Sequence, residues 1–188
     1  METTTIRGYD PVAKSLHWLI FLLLAAQYLI GSIMPHIGGH TLDRSWVAWH
    51  LSVGASILFF IVVRLLWRAF HPVPGLQTEA RWERIAARVI HWALYILVLV
   101  MTLLGWAAAN AHGWSVHLFG LVSLPQIAPK GSRWGHEAGD IHDVVLYVLL
   151  GVIVLHVAAA LYHYFVKRDD VVARMLPGSG QFARSSDM

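Results

Sequence analysis

Four long apolar stretches divide this chain, and polar residues gather between them. A helix needs about 20 predominantly apolar residues to cross a bilayer, and windows of that length predict segments at 15–34, 46–70, 89–110 and 141–166. Asp10 followed by Pro11 is typical of a helix start, so the first helix should begin before its apolar run. The pattern predicts an all-α integral membrane protein, a four-helix bundle with both termini on one side.

Capping residues and breakers refine these boundaries. Asp43 is suited to cap the second helix, and Thr78 or Glu79 to open the third, whose first turns are amphipathic. Residues 72–78 form a proline and glycine connector. Because Pro177 and Gly178 end the fourth helical region, we expect one domain over 1–176 and a loose tail over 177–188.

Composition supports a membrane protein and narrows its chemistry. Of 188 residues, 57% are hydrophobic and 13% charged, with a mean hydropathy of +0.57, which is unlike a soluble domain. The absence of cysteine excludes disulfides, covalently attached haem and all-cysteine iron–sulfur clusters. The first apolar segment lacks a small-residue cleavage site, so it does not resemble a removable signal peptide.

Positive charge is distributed unevenly across the predicted membrane. Cytoplasmic loops of membrane proteins are enriched in Lys and Arg. Most of the 14 such residues lie at the termini or around the second connection, and the opposite side has only Arg44, Lys130 and Arg133. This predicts that both the N terminus and the C terminus face the cytoplasm. It also explains the net charge of +3 without a nucleic-acid partner.

Four histidines lie within the apolar segments: His17, His50, His142 and His156. Ionisable side chains are costly there and usually bind something, and imidazole is a common axial ligand of haem iron. Segment direction places His17 at the depth of His156, and His50 at the depth of His142. The 14 residues from His142 to His156 rise about 21 Å and leave the two roughly 40° apart around the helix. We therefore expect two bis-histidine b haems, stacked across the bilayer.

Other interpretations of the histidines remain open at this point. His17 or His50 alone could sit at headgroup level, and histidines in or beside loops favour interfacial or solvated roles. Histidines could also carry a transition metal through the membrane, although the two-level pairing and the absence of cysteine argue against this. Gly54 and Gly151 could give a porphyrin room, but ordinary helix packing explains glycines equally well.

Several motifs together resemble the bacterial cytochrome b561 family of small four-helix dihaem proteins, especially its superoxide oxidase members. The matching segments cover all four helices: KSLHW at 14–18, WHLSVG at 49–54, RLL at 64–66, HWALY at 91–95, IHD at 141–143, LH at 155–156, LYHYF at 161–165 and RMLP at 174–177. The resemblance implies two b haems ligated as paired above. It also implies a place in the bacterial inner membrane and electron transfer between the outer face and the quinone pool.

The same resemblance suggests a reaction in which superoxide is oxidised to dioxygen and ubiquinone is reduced. Lys130, Arg133 and Arg44 are the outer cations that could steer the superoxide anion. Departures from the family lie mainly in the loops, where substrate choice is decided.

His91 and His163 lie at the cytoplasmic ends of their helices, so both are candidates for a quinone site. His163 is a weaker choice as a haem ligand, because pairing it with His142 would span about 31 Å. An alternative function is a membrane subunit that relays electrons between a partner dehydrogenase and quinone, without a substrate site of its own.

Overall fold

Four helices make up the bundle in the computed structural model, which describes residues 9–34, 46–71 and 80–176. They are α1 (Pro11–Ile33), α2 (Trp46–Phe70), α3 (Arg81–Ala111) and α4 (Arg133–Tyr162). All four are long and apolar enough to cross a membrane, which confirms the predicted fold class. We call the end at which α1 begins the terminal end, and the opposite end the loop end.

Each helix packs on its neighbour in the chain: α1 on α2, α2 on α3, and α3 on α4. The central core consists of six buried side chains: Ile20, Ile57, Ile61, Tyr95, Val98 and Leu149. Large apolar side chains such as Leu22, Tyr147 and Val154 are instead mostly exposed on the outside of the bundle. Such a surface suits lipid contact, because acyl chains are as apolar as the side chains themselves.

Local hydrogen bonds set two of the helix starts. The carboxylate of Asp10 accepts the backbone N–H of Ala13 at 2.9 Å, as an N-cap does. It also accepts the indole N–H of Trp67 at 3.1 Å. Although partial burial opposes them, these bonds hold the pKa of Asp10 below its ordinary value. On α3, the side chain of Glu83 accepts the backbone N–H of Ala80 at 3.2 Å.

Some boundary predictions fall on other parts of the chain. The cap at Asp43, the helix start at Thr78 or Glu79, the connector 72–78 and the tail 177–188 lie outside the described residues, as does Arg44. Within them, α1 begins at Pro11, as Asp10 and Pro11 predicted.

α4 begins at Arg133, eight residues before the apolar segment that was predicted at 141–166. Its first turns are polar and escape a search for apolar runs. An ion pair between Arg133 and Glu137, one turn apart, lies on their exposed side. On their other side lies a G-x-x-x-G pattern, and a Cβ placed at Gly135 would meet the Cβ of Ala111 at 2.6 Å. Small residues of this kind let membrane helices approach closely, which explains the tight α3–α4 crossing.

The connection between α3 and α4 is shorter than the predicted segments at 89–110 and 141–166 imply, because α4 begins at Arg133. It contains a two-stranded antiparallel hairpin, β1 (His117–Leu118) and β2 (Val122–Ser123). Between the strands, the ring of Phe119 packs on those of Phe59 and Phe60 in α2. Asn110 is almost fully buried and holds the loop by bonding the Trp114 carbonyl and the Ile127 N–H. The loop is thus a fixed cover on the loop end.

Candidate haem centres

The four intramembrane histidines form two pairs at different heights in the bundle. The rings of His17 on α1 and His156 on α4 have centroids 6.3 Å apart. The rings of His50 on α2 and His142 on α4 have the same separation. The structure therefore brings together the residues that depth alone had paired, and α4 contributes one histidine to each pair.

The ring separation suits a metal atom held between the two members of each pair. Two imidazole–metal bonds of about 2 Å, each extended by about 1 Å from the nitrogen to its ring centre, place the centroids about 6 Å apart. If the two imidazoles of each pair were only hydrogen-bonded to each other, nothing would require the two pairs to have the same separation. The histidines therefore fit an iron with two axial ligands, as in a b-type haem.

Contacts around His142 prepare it for such a role. Its Nδ1 lies 2.9 Å from the carbonyl oxygen of Met101, so Nδ1 carries the proton and donates, and Nε2 keeps a lone pair for a metal. A Cβ at Gly105 would lie 3.0 Å from Cε1 of this ring. Gly105 therefore lets α3 approach the imidazole.

His50 is enclosed in a similar way. A Cβ at Gly31 would lie 3.3 Å from its Cε1, and the side chain of Gln27 donates to the His50 carbonyl oxygen at 3.0 Å. Its Nδ1 is buried with no hydrogen-bond partner among the described residues. Sequence reasoning missed Gly31 and Gly105, although each is a glycine in an apolar helix.

The two glycines that were singled out from the sequence have different surroundings. A Cβ at Gly54 would meet the amide nitrogen of Gln27 at 3.2 Å, so this glycine serves the contact between α1 and α2. A Cβ at Gly151 would meet nothing within 4 Å. Room for a porphyrin beside Gly151 stays a prediction.

Both candidate quinone residues lie at the terminal end, but in different settings. The ring of His91 packs against that of His156, with centroids 5.5 Å apart. His163 begins a π-helical turn (His163–Lys167) after α4, and its Nδ1 lies 2.6 Å from a carboxylate oxygen of Asp169. No sequence pattern marks the pairing of His163 with Asp169, because it depends on the reversal of the chain at Arg168, whose φ is +52°.

The chain beyond that turn folds back over α1. The indole N–H of Trp18 donates to the carbonyl oxygen of Met175 at 3.0 Å. Lys167 is also fixed, since its ammonium lies 2.7 Å from the carboxylate of Glu83 on α3. These contacts tie the end of the described chain to the helices that carry His17 and His91.

The predicted outer cations lie at the loop end, close together in sequence. Arg133 is 93% exposed and pairs with Glu137 at 2.8 Å. Lys130 is exposed, and its aliphatic stem lies against Gly113, where a Cβ would meet it at 2.9 Å. Gly113 has a φ of +81°, so both the backbone and this contact require glycine.

Four apolar helices around two levels of facing imidazoles define a transmembrane cytochrome of the b type. Comparison with known families agrees: the model of the prokaryotic cytochrome b561 family matches residues 8–178. The chain belongs to this family, and it is a membrane electron-transfer protein that carries haem b.

Named relatives are similar along nearly their whole length. Cytochrome b561 homolog 2 of Escherichia coli is 28% identical, with 93% of this chain and 94% of the relative aligned. The probable superoxide oxidase CybB of Yersinia pestis is also 28% identical, over 91% of this chain and 97% of the relative. A probable Ni/Fe-hydrogenase B-type cytochrome subunit of Bradyrhizobium diazoefficiens is 23% identical, over 95% and 87% respectively.

Proposed function

We propose that this protein oxidises superoxide at the loop end and reduces ubiquinone at the terminal end, using two b haems. The observation that carries the proposal is the equal 6.3 Å separation of the two histidine pairs. His50 and His142 hold one haem, and His17 and His156 hold the other. When bound, each haem iron takes up and releases single electrons.

The overall reaction balances with two substrate molecules per quinone. Two superoxide anions each lose one electron and leave as dioxygen. One ubiquinone gains both electrons and two protons to become ubiquinol. The similarity to a protein named a probable superoxide oxidase supports this choice of substrate.

Lys130 is the better placed of the two described cations to attract superoxide. The charge of Arg133 is offset by Glu137, whereas Lys130 forms no ion pair with any acid in the described ranges. Because steering depends on long-range charge, Lys130→Glu should lower the second-order rate with superoxide and weaken its salt dependence. Arg133→Glu is the matched comparison and should have the smaller effect.

His163 is the residue we assign to the quinone. Its bond with Asp169 fixes the ring and leaves Nε2 free to donate or accept a hydrogen bond at a quinone oxygen. His91 lies against His156, so it bounds the same region from α3. Protons for ubiquinol then come from the terminal end, which we place in the cytoplasm.

The test is haem content combined with reduction kinetics on the purified protein. We expect about two haems per chain and reduction by superoxide that becomes catalytic only with added quinone. His142→Ala and His156→Ala should each remove one haem, whereas His117→Ala, a loop histidine outside the pairs, should retain both. Full pigment in the double variant of His142 and His156 would show that the ligands are wrong.

A second candidate function is the membrane subunit of a larger dehydrogenase. The similarity to proteins named probable hydrogenase cytochrome subunits favours it. Co-purification with a large partner, together with failure of superoxide to reduce the haems, would support this candidate over the first.

A further inference from the structure

Arg64 is a cation inside a membrane-spanning helix, and its guanidinium is held in one position. Its Nε donates to the hydroxyl of Tyr95 on α3 at 3.2 Å. Its Nη1 donates to the carbonyl oxygen of Ala13 on α1 at 3.3 Å. A charge in such a segment is costly and normally faces an opposite charge or a polar cavity. We therefore expect an anion beside Arg64.

Three of the acids at the terminal end are already engaged elsewhere. Asp10 accepts from Ala13 and Trp67, Glu83 pairs with Lys167, and Asp169 bonds His163. Arg64 itself forms no ion pair with any carboxylate in 9–34, 46–71 or 80–176. No described residue therefore neutralises this charge.

Arg64 lies beside the terminal-end histidine pair. Ala13 is about one helical turn before His17 in α1, and Tyr95 is about one turn after His91 in α3. The ring of His91 in turn packs on that of His156, with centroids 5.5 Å apart. The guanidinium is thus next to the proposed haem site between His17 and His156.

The remaining hydrogen-bonding capacity of Arg64 suits a carboxylate. An arginine has five N–H donors, and the contacts with Tyr95 and Ala13 use two nitrogens, Nε and Nη1. Nη2 and the second Nη1 hydrogen remain for a ligand. The planar fork of arginine matches a carboxylate better than a lysine does, and a b-type haem carries two carboxylates on its propionate groups.

We propose that Arg64 binds a propionate carboxylate of the haem held by His17 and His156, with Tyr95 positioning the guanidinium. This inference rests on the proposed haem assignment. It has a consequence of its own: a fixed positive charge near the iron favours the reduced state, because reduction adds an electron to the site. Arg64 therefore raises the reduction potential of the terminal-end haem relative to a protein without this charge.

The experiment is a redox titration of each haem in purified variants, with haem content measured in parallel. His17→Ala identifies which spectral component belongs to the terminal-end haem. Arg64→Gln should lower the midpoint potential of that component and leave the other unchanged. Its propionate bending band in the resonance Raman spectrum should also shift.

Matched variants separate charge from position. Arg64→Lys keeps the charge without the fork and should give a smaller downward shift, and Tyr95→Phe should shift the potential in the same direction. Arg88→Gln removes an exposed arginine of α3 and should shift neither component. If Arg64→Gln loses the terminal-end haem, retention by Arg64→Lys supports the proposal, and equal loss overturns it.

Failure of this inference is distinct from failure of the proposed function. Two haems per chain, with unchanged potentials and an unchanged Raman band in Arg64→Gln, would overturn the role of Arg64 alone. Loss of co-purified phospholipid without a potential change would assign the arginine to a lipid phosphate and would also overturn it. Fewer than two haems in the unaltered protein would instead contradict the haem assignment.

Discussion

Gly105 lies so close to the imidazole of His142 that replacing its hydrogen by a Cβ would crowd the ring. Glycine is the only residue without a Cβ, and a Cβ here would lie 3.0 Å from Cε1 and 3.2 Å from Nδ1 of the ring. Carbon atoms prefer separations of about 3.5–4.0 Å. Any larger residue must therefore push His142 away from its bond with Met101 or push α3 away from α4.

We expect Gly105→Ala to lose much of the loop-end haem and to keep the terminal-end haem. The purified variant should hold roughly half of the normal haem, measured per chain. Gly139→Ala is the matched control on the same helix pair, because its Cβ would meet Ala108 at an ordinary 3.5 Å. Equal haem in the two variants would show that Gly105 does not set the position of His142.

The segment that ends α4 has a distinct role among the elements. A π-helical turn is rare and often lies at functional sites, and here it places His163 beside Asp169. The left-handed residue Arg168 then reverses the chain toward α1. Such a conformation is uncommon for a residue other than glycine, so the surrounding contacts of Lys167 and Met175 hold it in place.

His163→Ala should leave both proposed haems in place and impair quinone reduction, because it removes the ring that we assign to the quinone and keeps the four proposed ligands. Asp169→Asn should act in the same direction with a smaller effect, since the amide still reaches the ring. The measurement is the rate of haem reoxidation by added quinone. His71→Ala, an exposed histidine at the same end, should leave that rate unchanged, and loss of one haem from His163→Ala would mean that the ligand pairs are misassigned.

At the scale of the whole molecule, charge and apolar surface act together to orient the bundle. The four helices bury few of their residues inside the protein, so lipid contacts most of their surface. Cations are concentrated at the terminal end, with Arg64, Arg68, Arg81 and Arg84 at the ends of α2 and α3. From the positive-inside rule we propose that this end faces the cytoplasm.

Because the chain has no cysteine, single cysteines can report this orientation directly. Ser115→Cys at the loop end should react with a membrane-impermeant maleimide in intact spheroplasts. Ala80→Cys at the terminal end should react only after the membrane is permeabilised. Both positions are exposed, so both can react with the reagent. The reverse labelling pattern would show that the bundle has the opposite orientation.

Much of this architecture could be predicted from sequence, for a physical reason. Hydrocarbon thickness fixes helix length, so apolar windows located α2 correctly at 46–70 and indicated all four helices. Depth along opposite helices was enough to pair His17 with His156, because only the rise per residue is needed. The start of α4 at Arg133 could not be predicted in this way. Its first turns are polar and pack through small residues, and a search for apolar windows detects neither feature.

Contacts that depend on tertiary structure could not be predicted in this way. Asn110 bonds atoms on both sides of a hairpin, and nothing in its neighbourhood of the sequence marks that role. In the sequence, Arg64 is one of several cations that indicate orientation, and nothing there marks its hydrogen bonds with Tyr95 and Ala13. Such residues gain their function from partners that are distant along the chain.

The presence of one α4 histidine in each pair has a consequence for biogenesis. A polypeptide is made from its N-terminus, so α1, α2 and α3 are made while both proposed haem sites still lack a ligand. Neither proposed haem can be bound by both of its histidines until α4 has been inserted. On the proposed haem assignment, a ribosome product that stops after residue 132 should therefore contain neither bis-histidine haem.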